Sequence, residues 1–432
     1  MSPLRGALDD FREAARSFSR PARLYLASEF LAWTGHGIMS VLYNLYLVEG
    51  RYQESFVGTA VSVTALGLAL TALPAGVLAE RWGRRRCLIL GAVLDGVGFV
   101  VRASVLAPFP ILAASFVAGA GQSMLAIAAA PFITEHSTPR ERTHLFSAFF
   151  ASALLAGVAG SALGGWLPRL MLALPGAMRP DLLHAYRATL LLGSAFCFSA
   201  ALPLLRLRGL HEPPLAQAGD APPPGAARRL VPIAANAALT GAGAGLVIPF
   251  MNLYFKTRFA CSSGQIGFFF SFAQIFTAIA ALLAPTVARR FGKMRTAVMS
   301  QLLSLPFLVT LGIESQLGIA VAAFWIRATL MQASTPLLQT FIMEALPPGL
   351  RARATSINNM VWNVGWAVSA TFAGLIIQRF GYHVPFYMTA TLYLIAASTF
   401  YFAFRNTSEI AAAPRLSEEA KGQRGEGPLL TE

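Results

Sequence analysis

The sequence predicts an all-α membrane protein whose twelve transmembrane helices form two pseudo-symmetric six-helix bundles. Three observations lead there. Only 12% of the 432 residues are charged, against about a quarter in soluble domains, while 55% are apolar and the mean hydropathy is +0.57. Apolar stretches of about 20 residues, the helical length that crosses a bilayer's hydrocarbon core, recur along the chain. A basic hairpin, Gly76 to Arg86 (GVLAERWGRRR), returns in degenerate form 209 residues later as Pro285 to Arg295 (PTVARRFGKMR).

So few polar residues cannot coat soluble cores of this size, so the solvent must be mostly lipid. A net charge of +14 would suit a nucleic-acid partner. Here, however, Arg and Lys stand in short clusters at alternate ends of apolar runs, which is the signature of membrane topology, and nucleic acid is excluded. Cys87, Cys197 and Cys261 fall in separate segments without metal-ligand spacing, so neither disulfide, metal site nor cofactor is expected.

Residues 1–21 are amphipathic and lack the apolar core and cleavage site of a secretory signal, so the first span is expected to be retained behind a cytoplasmic N-terminal segment. The spans are expected near 22–48, 56–80, 86–107, 109–134, 143–168 and 185–205, forming an N-terminal bundle over 22–205. Residues 206–229, with Pro213, Pro214 and Pro222 to Pro224, are too polar and Pro-rich to span and read as a cytoplasmic linker. Spans near 230–255, 263–288, 296–313, 316–344, 353–378 and 383–404 form the C-terminal bundle over 230–405, and 406–432 is a cytoplasmic tail.

Orientation follows from the turns. Even-numbered turns are basic: Arg81, Arg84, Arg85 and Arg86; Arg140 and Arg142; Arg289, Arg290, Lys293 and Arg295; Arg351 and Arg353. Odd-numbered turns carry little net basic charge. The positive-inside rule places the basic turns and both termini in the cytoplasm.

The repeat extends beyond the hairpin. Asn44-Leu45-Tyr46 returns as Asn252-Leu253-Tyr254, and Gly35 and Gly37 as Gly243 and Gly245, at an offset of 208. Gly58 and Gly267, Glu135 and Glu344, Pro139 and Pro348, Arg142 and Arg351, and Ser147 and Ser356 are offset by 209, so one insertion after helix 7 reconciles the two registers. Matches at Asn, Glu, Pro and Arg positions point to duplication of a six-helix unit.

GVLAERWGRRR resembles the cytoplasmic signature of the major facilitator superfamily, Gly-x-Leu-Ala-Asp-Arg-x-Gly-Arg-Arg, with Glu80 in place of Asp. The resemblance implies a central cavity alternately open to each side, lined by helices 1, 4, 7 and 10, with helices 2, 5, 8 and 11 between the bundles. It also suggests that Glu80 meets the N-terminus of helix 11. The hairpin reads as a cytoplasmic latch: Gly76 permits close helix approach, Gly83 permits the turn, and Arg81, Arg84 or Arg85 pairs with Glu80 and with Glu135. Such contacts would hold that side shut and break on opening. The blander alternative is that the arginines only set topology. In the second copy Arg289 takes the acidic position, followed by Arg290, Gly292, Lys293 and Arg295, and Glu344 is expected to neutralise part of that charge.

Charged groups inside a bilayer cost about 2.5 to 3.5 kcal/mol on insertion scales and call for a reason. Glu29 and His36 lie about 20° apart on helix 1, with Ser40, Tyr43 and Asn44 continuing the same broad face. Glu29 reads as a proton-coupling acid assisted by His36, with structural pairing as the alternative for each. Arg327 and Gln332 on helix 10 read as groups of the substrate cavity, Arg327 suiting an anion; a structural salt bridge is its alternative. Tyr43, Asn44, Gln122 and Asn252 are further cavity candidates, and Asn359 and Asn363 neutral groups that line the path or bond a neighbour. Asp95 and Arg102, on a helix the resemblance makes peripheral, read as structural.

No nucleotide-binding loop, metal-ligand pair or nucleophile triad stands in a plausible context, so the chain reads as a secondary transporter and not an enzyme. Gly160-Ser161-Ala162-Leu163-Gly164-Gly165 and Gly119-Ala120-Gly121 partly resemble the signatures of proton-coupled drug antiporters. They favour proton-coupled efflux of amphipathic compounds by a monomer in a bacterial inner membrane, its partners being a small solute, protons and lipid. Uptake of a nutrient, suited by Arg327 to an anion, is the runner-up; a lipid flippase and a non-transporting receptor are the readings from other classes.

Overall fold

The computed structural model describes residues 18–138, 142–175, 180–207, 226–346 and 348–405, the backbone alone at 142–143, 226–229, 348–349 and 352–353. Much of the expected N-terminal segment and linker, and the whole expected tail, lie outside the described residues, as do Pro139 and Arg140.

The helices are α1 (Arg20–Glu49), α2 (Glu54–Trp82), α3 (Arg84–Ser104), α4 (Pro108–Glu135), α5 (Arg142–Leu172), α6 (Leu182–Ser199, continued by Ala201–Leu205), α7 (Ala226–Val247, continued through a 3-10 turn to Met251–Phe259), α8 (Ser263–Phe291), α9 (Lys293–Ile313), α10 (Leu317–Ala345), α11 (Pro348–Phe380) and α12 (His383–Phe404). Eleven are long and apolar enough to cross a membrane; α1 matches them in length but carries Arg20, Arg23, Glu29, His36 and Asn44. Several helices outrun their expected ends because backbone hydrogen bonding continues past the first charged side chains. α2 and α8 stop instead at Gly83 (φ 89°) and Gly292 (φ 86°), left-handed positions that only glycine adopts without strain. At the α7–α8 turn, Ser262 Oγ accepts from the Gln265 amide while Gln265 Oε1 accepts from the Ser262 amide, a reciprocal cap that starts α8. Asp181 caps α6, and its hydrogen bonds from the His184 amide and ring hold its carboxyl below the usual carboxylate range.

The packing repeats as the sequence does. In the first half α1 packs on α5 and α6, α4 on α2 and α3, and α3 on α6; in the second, α7 packs on α11 and α12, α10 on α8 and α9, and α9 on α12. Even single bonds recur: the Tyr46 hydroxyl donates to the Ala103 carbonyl (2.9 Å), and Tyr254, 208 residues on, donates to the Leu311 carbonyl (2.7 Å). The bundles meet chiefly through α2 against α11 and α5 against α8.

Glycine makes that meeting possible. A Cβ on Gly58 would lie 2.3 Å from the Ala370 carbonyl oxygen, one on Gly374 2.2 Å from that of Glu54, and one on Gly165 2.9 Å from the Gly267 Cα. Ser62 donates to the Ala367 carbonyl, Ser263 to Gly165 (3.1 Å), Ser271 to Val158 (3.2 Å) and Gln378 to Gln53 (2.7 Å). These contacts cluster in the half remote from the basic turns, here the far end. Toward the basic end, Leu73 on α2 and Leu282 on α8 are 79% and 80% exposed, and a Cβ on Gly76 would meet nothing within 4 Å. The bundles are closed together at the far end and parted at the basic end.

Candidate functional site

The N-terminal bundle holds the titratable groups. Glu29 is buried on α1 and accepts from Trp33 Nε1 at 3.1 Å, one turn along the same helix. One turn after Ala32, His36 places Nδ1 2.9 Å from the Ala32 carbonyl and Nε2 3.4 Å from Asp95 Oδ2 on α3. A carbonyl oxygen only accepts, so Nδ1 carries a hydrogen. Nε2 then faces Asp95 Oδ2, two groups that can each take up a proton. Asp95 is 1% exposed, and Gln122 Nε2 on α4 donates to its Oδ1 at 3.1 Å.

Two expectations change here. Asp95, read as structural because of its helix, is the direct partner of a proton-coupling candidate, and Gln122, read as a cavity group, turns into its own bundle to hold Asp95. His36, Asp95 and the Cys197 thiol bring ligand atoms within 4.8 Å of one another, a grouping invisible in residue spacing. The thiol bonds the Ala32 carbonyl (3.8 Å) and Gln122 takes one carboxylate oxygen, so the three form part of a hydrogen-bonded network and not a ready metal centre.

The polar stripe of α1 divides among its neighbours because α1 is enclosed on several sides. The ring of Tyr43, 3% exposed, lies 3.8 Å beneath the Arg102 guanidinium instead of in a cavity. Asn44 crosses to α7, donating to the Pro249 carbonyl and to Asn252 Oδ1 (3.4 Å), while Asn252 donates to the Val41 carbonyl (3.0 Å). Asn44 and Asn252 thus join the far-end closure in this conformation; neither lines a chamber.

The cavity that the structure shows is lined by residues of the C-terminal bundle alone. A cavity of about 390 Å³ lies among α7, α8, α10 and α11, with α9 and α12 behind it, and includes Arg327, Gln332 and Asn359. Its lining reaches Gln339 and Ile342 toward the basic end. Arg327 is 4% exposed; its Nη2 donates to the Tyr393 hydroxyl at 3.3 Å, and its Nε has no acceptor. Tyr393 and Gln301, also on this wall, escaped the sequence reading because neutral side chains on outer helices carry no charge signal. Asn363 donates to the Asn359 carbonyl (2.8 Å) within α11.

At the basic end the arginines are divided by geometry. Arg84 pairs with Glu135 across α3 and α4, and Lys293 with Glu344 across α9 and α10, each residue of the second pair 209 after its counterpart. Each pair lies inside a single bundle: the Arg84–Glu135 contact forms while the bundles are parted here and so does not by itself hold this end shut, and the Lys293–Glu344 contact is the charge neutralisation expected of Glu344. Arg85 donates to the Leu204 (3.1 Å) and Leu205 (3.0 Å) carbonyls, tying α3 to the end of α6. Arg289 Nη2 reaches Thr286 (3.2 Å), Arg290 lies over Phe291 (5.4 Å), and Glu80, Arg81 and Arg295 are exposed or nearly so.

Similarity to known proteins agrees with this geometry. Among solved structures, a bacterial homologue of the human lysosomal transporter Spinster, inward-facing and occupied, superposes with a TM-score of 0.73 at 15% identity over 89% of this chain and 96% of that one. A D-xylose–proton symporter gives 0.70 at 14% identity over 88% and 97%, and the nucleoside transporter NupG 0.70 at 14% over 90% and 100%. At such identities the likeness is one of fold. Among curated proteins, the MFS-type transporter criB of Aspergillus cristatus is 30% identical over 141 residues, 32% of this chain and 30% of that one. The niacin transporter NiaP of Acinetobacter baylyi is 25% identical over 158 residues, 32% of each. The matches thus span about a third of these relatives. The sequence model of the Major Facilitator Superfamily matches twice, over residues 25–234 and 233–430, once for each half of the chain. The chain therefore belongs to the Major Facilitator Superfamily.

Proposed function

We propose that the protein is a proton-coupled secondary transporter that exports amphipathic organic solutes across a bacterial inner membrane, as a monomer with its basic turns and termini in the cytoplasm. The observation that carries the coupling is the His36–Asp95 contact, a part-buried imidazole 3.4 Å from a buried carboxylate, with the second buried acid Glu29 seven residues before His36 on α1. Protonation there changes the charge of one bundle's interior and so biases how it packs against the other. A membrane potential of 100 mV adds about 2.3 kcal/mol per proton moved.

The export direction rests on the partial antiporter-like motif of α5. Gly160 and Gly164 of that segment pack on Thr34 and Ile38 of α1 within the same bundle, and Gly165 on Gly267 of α8, so one end of the motif serves a contact between bundles that a gate must make and release. Uptake is the second reading, favoured by the stretch similar to a niacin transporter.

The test is solid-supported-membrane current recording on proteoliposomes with a library of amphipathic compounds, for wild type, Glu29→Gln and Asp95→Asn. Solute-evoked proton currents in wild type that fall at least about tenfold in either variant support the proposal. Undiminished coupled currents in both variants remove these acids from the mechanism. Opposite signs of solute movement in right-side-out and everted vesicles separate export from uptake.

A further inference from the structure

The two bundles have the same frame but opposite electrostatic interiors. The N-terminal one holds Glu29, His36, Asp95 and Arg102. Among the described residues, the C-terminal bundle has only two acids, Glu314 and Glu344, and both are spoken for. Glu314, in the far-end turn, accepts from the Ser315 (2.8 Å) and Gln316 (2.7 Å) amides; Glu344, near the basic end, holds Lys293. The α9 counterpart of Asp95 is Ser304, at the offset of 209.

Arg327 therefore sits without a carboxylate of its own bundle, ten residues into α10, about 15 Å from its far end and so near mid-membrane. Snorkelling does not explain it, because the guanidinium lies against Tyr393 in the cavity wall and is not extended to a surface. Its Nη2 is engaged by a neutral oxygen, the Tyr393 ring stands 6.0 Å away, and its Nε is buried without an acceptor. A guanidinium always charged, set in a cavity wall with its Nε buried and lacking an acceptor, calls for an anionic partner. The Tyr393 hydroxyl, accepting from Arg327, keeps its own hydrogen for a second bond. The same cavity is lined by Phe270, Phe324, Met331 and Trp362, which suit a flat apolar body.

We propose that this cavity is an organic-anion site, in which Arg327 and Tyr393 bind the carboxylate of an amphipathic monocarboxylate and the aromatic wall binds its apolar body. The inference deepens the transporter reading by naming the solute's chemical class, and rests on it only for the claim that the bound compound is cargo. An electroneutral pair forms on binding, so the solute supplies the countercharge that α10 lacks. A neutral amphipath of the same shape leaves Arg327 unpaired.

The test is equilibrium binding to the full-length protein in nanodiscs at fixed pH with no gradient, read by quenching of tryptophan fluorescence and by thermal shift, with 2-naphthoate and its neutral isostere 2-naphthamide as probes. Wild type is expected to bind the carboxylate at least about tenfold more tightly than the amide, as a charge-assisted hydrogen bond implies. Arg327→Gln is expected to abolish that preference, and Tyr393→Phe to reduce it severalfold; if Arg327→Gln does not fold, Tyr393→Phe decides. Equal binding of both probes, no binding of the carboxylate, or a preference unchanged in these variants overturns the proposal. Because no gradient is present, those outcomes leave the proton-coupling reading to its own current measurement.

Discussion

Asn44 and Asn252 face one another across the pseudo-twofold axis and exchange equivalent bonds: Asn44 Nδ2 donates to the Pro249 carbonyl and Asn252 Nδ2 to that of Val41. Donors and acceptors alike are 208 residues apart, so one sequence feature, present twice, has become a self-complementary clasp at the far end. Buried bonds of this kind contribute about 0.6 kcal/mol each within membranes. Asn44→Ala and Asn252→Ala are each expected to raise far-side labelling of a cysteine introduced at Gln53 about threefold, with the double substitution adding less than the product because the pair shares its contacts. Unchanged labelling removes the clasp from the closure.

Glycines along α2 are expected to separate by depth. Gly58→Val drives a side chain into the Ala370 backbone, which costs about 1 to 3 kcal/mol of far-end closure and shifts the population toward the opposite state. Gly76→Ala meets open space in this conformation and is expected to leave its thermal stability unchanged, while impairing transport if the basic end closes on it. Thermal unfolding and transport measured side by side check both; a destabilising Gly76→Ala contradicts the openness of that end.

The two repeated ion pairs differ in burial and should differ in consequence. Arg84 is 4% exposed and Glu135 is its carboxylate partner across α3 and α4, so Glu135→Gln is expected to cost about 1.5 to 3 kcal/mol. Lys293 and Glu344 are 37% and 55% exposed, and Glu344→Gln is expected to cost at most about 1 kcal/mol. Chemical or thermal unfolding in the same detergent ranks them; equal losses contradict the assignment.

Much of the frame was legible in the sequence because it rests on redundant signals. Twelve apolar runs, alternating basic turns and a register shared by Asn, Glu, Pro and Gly each pointed to a doubled six-helix unit, and the superposed packing of α1–α6 and α7–α12 is what that register requires. The site was legible only in part. Glu29, His36 and Arg327 stood out because charge is conspicuous in an apolar helix. Which way Gln122, Tyr43 and Asn44 turn depends on the neighbouring helices, and a single helical wheel holds no information about them. Asp95 was set aside through its helix's expected position, although a carboxylate eleven residues into a transmembrane helix was the same signal that singled out Glu29. Sequence leaves Arg81, Arg84 and Arg85 equal as partners of Glu135, because the choice depends on how the hairpin turns against α4; the structure sets Arg84 there.

The central claim is that the bundles rock about a buried chamber, opening one end as the other closes. Electron–electron distance measurements on two spin-label pairs test it most directly: Leu73 with Met360 on the exposed basic-end faces of α2 and α11, and Gln53 with Gln378 at the far end, whose side chains bond at 2.7 Å. Between acidic and alkaline pH, or on adding a transported solute, the first distance is expected to shorten as the second lengthens. Distances that stay fixed, or that lengthen and shorten together, would contradict alternating access in this protein.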